Sequence, residues 1–355
     1  CFNSCILAFI ILMIYMEVMY DFIPGMVANG ALLLNLFFTM GIMASFQAAL
    51  TMPGIAGIVL ALGMAVDANV LIYERTKEEL KKGLGTKQAL SLGYSNAFSA
   101  IFDSNLTSII TGIILYVFGT GPIRGFATTL IIGICCSFFT AVFLTRLVYE
   151  NRLKHDKWTK QNFSTRVSRN FLANKNFAFM STYKTSFTVF GIVILIMLGS
   201  FFVRGLSKGI DFTGGRNYVV VLEKQTEPEQ VKAALTPLFK GATVNALALG
   251  TDGKTIRIST NYKIESNNPA IDNEVEDILY KGLHGAGLVT QGSVEAFKNP
   301  DVRAGGSIVS STKVGPAVAK DITHGAIISV LFALAAIFVY ILVRFRNVAF
   351  SVGST

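Results

Sequence analysis

"LGMAVDANVLIYERTKEEL", residues 62–80, decides how the chain is read, because a long apolar run there is broken near its middle by Asp67. A charged side chain at the centre of a bilayer costs about 2.5–3.5 kcal/mol even on the lenient insertion scale. A carboxylate in that position needs either a compensating partner or a task. The surroundings make clear that a bilayer is the right reference. Of the 355 residues 52% are hydrophobic and only 15% charged, a balance foreign to soluble domains.

Outward from Asp67, seven runs are apolar and long enough to cross about 30 Å of hydrocarbon: 2–20, 28–49, 55–73, 98–118, 124–148, 186–203 and 324–343. Between the last two lies a stretch of mixed polarity, 205–322, which reads as one soluble domain inserted between membrane helices. The first residue is Cys1, with no basic leader ahead of the first run, and the chain stops at Thr355 just after "RFR". No signal peptide is expected, and both ends read as cuts from something longer.

The net charge of +9 is distributed unevenly. Lys and Arg gather in 75–87 and in 146–184, with Arg344 and Arg346 after the last run, whereas the loops near 50–54 and 119–124 carry only Arg124. The positive-inside rule makes the rich loops cytoplasmic. Seven crossings then put the N-terminus and residues 205–322 outside. Orientation and contact with anionic lipid account for this charge, and no nucleic-acid partner is expected. The cysteines at 1, 5, 135 and 136 all lie in membrane runs, and His155, His284 and His324 do not cluster. Neither a metal site nor any cofactor is expected.

On a helical wheel Asp67 shares a face with Ala56, Leu60, Gly63 and Glu74. Small residues beside an acid let a neighbouring helix approach closely. Glu74 comes two turns later, about 10 Å along the axis, and is followed by Arg75; Asn69 points away, toward another helix. The fourth run, "SNAFSAIFDSNLTSIITG", carries a second polar stripe of Asn96, Ser99, Asp103, Thr107 and Thr111 at three- and four-residue steps, with Asn105 beside it. Asp67, Glu74 and Asp103 are candidates for a proton relay or an ion-coordinating set. The alternative for each aspartate is an inert, protonated hub that hydrogen-bonds two helices together. Glu17 reads as an acid snorkelling to the boundary.

After the sixth run comes "KGIDFTGGRNYVVVLE". Gly214-Gly215-Arg216 leads into a strand with no Lys-Ser/Thr and no helix behind it, so it is not a phosphate-binding loop. It reads as a tight turn feeding the soluble domain. There the pattern predicts strand 216–223, helix 227–240, strands 243–249 and 255–261 around the turn "TDGK", helix 268–283 and strand 288–297, then a helix from about 313 into the last run. The order β-α-β-β-α-β is that of a ferredoxin-like α+β unit. It holds no nucleophile–base pair, no paired acids with catalytic spacing and no metal cluster, so a binding or mechanical module is expected rather than an enzyme.

Three segments, 50–80, 103–134 and 209–216 ("GIDFTGGR"), resemble the signatures of the SecD and SecF family of bacterial protein-export membrane proteins, relatives of the resistance-nodulation-division transporters. The first two are SecD-like and the third SecF-like, as where the two are fused. The resemblance implies five SecD-type helices in 1–150, a basic linker at 151–185, a SecF-type span at 186–204, a periplasmic domain at 205–322 and a second, truncated SecF-type span at 323–355. It further implies an inner-membrane subunit that uses the proton motive force to help preproteins through the Sec channel. Asp67 matches the family's proton-conducting aspartate. Asp211, Gly214, Gly215 and Arg216 match its junction motif, and Gly63, Asn69, Arg75, Asn105 and Thr107 fall within the matched helices. Implied partners are the Sec translocon channel, its accessory membrane proteins including the insertase, unfolded preprotein, lipids and protons. A proton-coupled exporter of lipids or hydrophobic small molecules, and a passive scaffold, are the competing readings.

Overall fold

A computed structural model describes residues 2–48, 50–159, 161–165, 168–169, 182–205, 209–249, 253–266, 268, 270–302, 304–346 and 348–354. Cys1, Lys160, Arg166, Lys175 and the Thr251–Asp252 part of the predicted turn lie outside them, as does the side chain of Cys5. Two compact units emerge: residues 1–182 with 325–355, and residues 183–324.

The first unit is helical. Helices α1 (Phe2–Tyr20), α2 (Phe22–Ser45), α3 (Met52–Lys81), α4 (Thr86–Phe118) and α5 (Pro122–Lys154) follow one another through short turns. Each boundary has a local cause. Asp21, at φ 78°, breaks α1 from α2 and accepts the Phe22 N–H at 2.8 Å. Thr51 caps α3 by accepting the Gly54 N–H at 3.1 Å, with Pro53 in the first turn. Within α5, Phe139–Leu144 is π-helical, a widened turn inside the α-helix. The hydrophobic core lies at the Tyr20, Tyr73, Tyr149 and Phe163 cluster, so the start of the basic linker folds back onto the bundle through Phe163.

Glu17 does not snorkel. Its Oε1 accepts the Asn29 amide at 3.1 Å, because α2 packs so closely that a Cβ on Gly25 would lie 2.7 Å from the Glu17 Cα. Among the described residues six helices are long and apolar enough to cross a membrane, namely α2, α3, α4, α5, Tyr183–Val203 and Pro316–Phe345. The run at 2–20 is helical too, but its described apolar part, Ile6–Tyr20, is shorter. The chain is a multi-pass membrane protein.

The second unit begins with α6 (Tyr183–Arg204), none of whose described side chains is buried. After a single turn, α7 (Ile210–Thr213), it forms β1 (Gly215–Val221), α8 (Pro228–Leu235), β2 (Val244–Leu249), β3 (Thr255–Thr260), α9 (Ala270–Gly285), α10 (Val294–Lys298) and β4 (Ser307–Val314). The sheet order is β2-β3-β1-β4, with every neighbour antiparallel. Tyr218, Val220, Ile256 and Ile258 alternate onto one face and meet Val231, Leu235, Val275 and Leu279 of α8 and α9. This is the half-buried alternation of a two-layer α+β domain.

The predicted strand at 288–297 is absent. Gly287 turns the chain at φ +69°, and Ser293 caps α10 by accepting the Ala296 N–H at 3.2 Å. The strand is instead Ser307–Val314, a sheet edge whose outer half is exposed and therefore polar. The last long helix, α11, starts at Pro316 and runs unbroken to Phe345, followed by α12 (Val348–Ser354).

Candidate functional site

Helix α3 has two unlike faces. On one, small residues give a close fit to α5: a Cβ on Gly57 would strike the Thr129 hydroxyl, and one on Gly133 would come within 2.5 Å of the Ala61 Cβ. On the other, Ala56, Leu60, Gly63 and Asp67 are all exposed, and a Cβ on Gly63 would meet nothing within 4 Å. The close helix approach expected at Gly63 is therefore made from the opposite side. Asp67 faces outward from this bundle, midway along a membrane helix.

Toward the charged end of α3, Glu74 is partly buried and its Oε1 meets Lys77 Nζ at 3.0 Å. That ammonium also lies 5.5 Å from the centre of the Tyr20 ring, tying α3 to α1. Arg75 pairs with Glu78 at 2.8 Å on the exposed surface. Asn69 is buried but bonds its own helix, donating to the Ala65 carbonyl at 3.3 Å, and its Oδ1 has no partner.

Asp103 has company that no local pattern announces. Its Oδ1 accepts the Tyr340 hydroxyl at 2.8 Å, and the Arg344 Nε donates to Oδ1 at 3.0 Å and to Oδ2 at 3.1 Å. Arg344 also donates from Nη2 to Ser99 Oγ at 2.7 Å. Two members of the predicted stripe, Ser99 and Asp103, thus share one guanidinium. Thr107 and Thr111 instead donate to the carbonyls of Ser104 and Thr107, and Asn105 donates to the Ile101 carbonyl at 2.8 Å. Tyr340 and Arg344 were missed because more than 230 residues separate them from Asp103, and a basic residue at a helix end reads as ordinary topology charge.

The junction motif lies in the second unit. Asp211 is exposed in α7. Gly214 sits at φ +73°, a region that favours glycine, and a Cβ there would lie 3.1 Å from the Pro316 Cα. Gly215 opens β1 beside Val314, and a Cβ on it would lie 2.9 Å from the Thr260 carbonyl oxygen and 2.7 Å from Ile210 Cγ2. The two glycines therefore let the start of β1 pass between the end of β3 and the start of α11. Phe212 adds a tie by accepting the Thr323 hydroxyl at 3.2 Å. Arg216, the largest fully buried side chain, donates from Nε to Asp272 at 2.5 Å and from Nη1 to the Tyr262 carbonyl at 2.9 Å. Among the described residues no group of His, Cys, Asp and Glu is placed to hold a metal ion.

The family model of the SecD/SecF C-terminal region, "Protein export membrane protein SecD/SecF, C-terminal", matches residues 1–155 and 296–354, and that of the SecD/SecF GG motif matches 199–226. Protein translocase subunit SecD of Rhodothermus marinus is 58% identical over 126 residues, 36% of this chain and 20% of that protein. Its counterpart from Rickettsia prowazekii is 48% identical over 152 residues, 43% of this chain and 29% of that one. The crystal structure of SecDF, a translocon-associated membrane protein from Thermus thermophilus, superposes with a TM-score of 0.79 at 27% identity, covering 99% of this chain and 44% of that one. A super-membrane-facing form of SecDF gives 0.67 at 28% identity with the same coverage. The chain thus spans under a third of the curated relatives it matches, and less than half of the matched structure. With the membrane helices and the glycine junction both matched, the chain belongs to the SecD/SecF family of protein export membrane proteins.

Proposed function

We propose that this chain is the membrane-embedded part of an accessory subunit of the Sec export machinery, which draws on the proton motive force to assist late translocation of preproteins across the bacterial inner membrane. One observation carries the reading: Asp67 stands midway along a membrane helix on a face, with Ala56, Leu60 and Gly63, that the described residues leave exposed, while the opposite face is tightly packed. An acid left in that position is a functional group by default. Here it takes up and releases protons against helices that complete the site, with Glu74 and Lys77 nearer the aqueous end as the exchange point. Domain 205–322 is periplasmic, and the Asp211–Arg216 junction couples helix movement to it. Five SecD-type helices in 1–150, the linker 151–185 and SecF-type spans at 186–204 and 323–355 make up the rest.

The partners under this reading are the translocon channel, its accessory membrane proteins including the insertase, unfolded preprotein, lipid and protons. An exporter of lipids or hydrophobic small molecules is not favoured, since the matched families and relatives are SecD and SecF. The test is Asp67→Asn in the intact parent protein, nearly isosteric but unable to ionise. Proton-dependent export of a preprotein from sealed vesicles is expected to fall to background with the protein still accumulating. Wild-type export would leave a scaffold.

A further inference from the structure

Helix α11 is sparsely held. Val330, Leu331, Phe332, Val339 and Val343 are all more than half exposed, and only 11% of its most apolar stretch is buried. Beyond the junction contacts at Pro316 and Thr323, a short series of contacts holds it to α4, running antiparallel. Near one end a Cβ on Gly325 would lie 2.9 Å from the Phe118 carbonyl oxygen, and the Phe118 and Phe332 rings stack at 4.7 Å. Near the other end stands the Asp103–Tyr340–Arg344–Ser99 cluster. Stacked rings and methyl contacts tolerate sliding. A guanidinium whose Nε–H is shared between both oxygens of Asp103 while its Nη2 donates to Ser99 does not, because bonds from two nitrogens of one planar group fix direction as well as distance.

We infer that Asp103 and Arg344, steadied by Tyr340 and Ser99, form a latch that sets the register of the SecF-type helix α11 on the SecD-type helix α4, which makes Asp103 a positioning residue. Both of its carboxylate oxygens are engaged, and Arg344 cannot give up its proton, so the cluster holds a fixed charge pair where Asp67 stands free. Because α11 continues unbroken from Pro316, one residue past β4 and its following Gly315, the latch fixes the far end of the helix that leaves the outer domain's last strand. The latch rests on geometry alone, whereas its service to export rests on the function proposed above.

The test separates the two. In the full chain, with its four native cysteines replaced by serine, Phe118→Cys and Phe332→Cys are joined in membranes by a short thiol cross-linker. Asp103→Asn and Arg344→Gln are each expected to slow cross-linking about fivefold or more, as loss of a charge-assisted pair that joins the two helices should. The exchanged pair Asp103→Arg with Arg344→Asp is expected to recover at least half of the rate. Unchanged cross-linking in both single variants, or an exchanged pair no better than either, overturns the latch. If an exchanged pair fails to accumulate, Asp103→Glu decides: it keeps the charge and is expected to retain most of the rate, and a loss equal to that of Asp103→Asn overturns the proposal. Export assayed in the intact parent carrying the same substitutions reads the functional proposal separately. Recovery there with arginine at position 103 is the expected result, and an absolute need for an acid at that position would overturn the positioning role.

Discussion

The two units close their interiors in opposite ways. In the outer domain the burial is complete: Val220, Val231, Leu235, Ile258, Val275 and Leu279 have no exposure, and a buried arginine is answered by Asp272 and a carbonyl. In the membrane unit one face of α3 and most of α11 are left bare, and an aspartate stands on the bare face of α3. The sheet-and-helix core of the second unit is thus closed, while the bundle leaves one face of α3 and most of α11 uncovered by the described residues. The same contrast recurs on a smaller scale between two aspartates, Asp67 uncovered and Asp103 satisfied by two donors from a helix far away in sequence. Asp103 is held in place by its partners, and Asp67 stands on a face that the described helices leave open.

The substitution that presses hardest on this contrast is Asp67→Asn, expected to abolish proton-driven export in the intact parent while leaving the melting of the outer domain where it was. A matched loss of both would dissolve the distinction between the units. Next comes Leu279→Ala, which empties a fully buried site and should cost the outer domain about 2–5 kcal/mol, read by denaturant unfolding of residues 209–315 expressed alone. Failure of that fragment to unfold cooperatively would show that the domain does not complete its own core. Gly215→Ala is expected to cost about 1–3 kcal/mol, since the added methyl meets the Thr260 carbonyl and Ile210, and the same fragment checks it.

The smallest effect is electrostatic. The Lys263 ammonium, donating to both oxygens of Glu274, and then the Tyr262 hydroxyl hold that carboxyl below the usual glutamate range. A depressed acid contributes stability above its unfolded pKa and loses it as the pH falls through the folded value. Lys263 is pushed up, chiefly by Glu274, so its share persists below the ordinary lysine value and disappears as the pH rises beyond it. Glu274→Gln should therefore flatten the acid limb of the fragment's stability curve slightly. The pair is exposed and screened, so salt should erase the difference.

What the sequence disclosed follows the range of the forces involved. The apolar runs and the strands read at 216–223 and 255–261 are local, and they appear where expected. The error at 288–297 has a local cause too, since alternating apolar residues there serve a turn and a short capped helix, while the true edge strand is polar because its outer half faces water. Placing Asp67, Gly63 and Glu74 on one helix face needed only the period of 3.6. The pairing of Asp103 with Arg344 has no periodic signature. It depends on two helices meeting after the whole outer domain has intervened, and nothing in "RFR" distinguishes a partner from a charge anchoring a helix end.

The widened turn at Phe139–Leu144 means that α5 carries one surplus residue, out of phase with an ordinary helix. Everything beyond it, including the Tyr149 ring that packs edge-on against Tyr73 and the buried Leu153, owes its azimuth to that insertion. Excising a single residue there would spin the basic C-terminal end of the helix by about 100° and aim its Arg146, Arg152 and Lys154 side chains in a different direction. Any chimaera spliced across this helix must count its residues from the far side of the bulge.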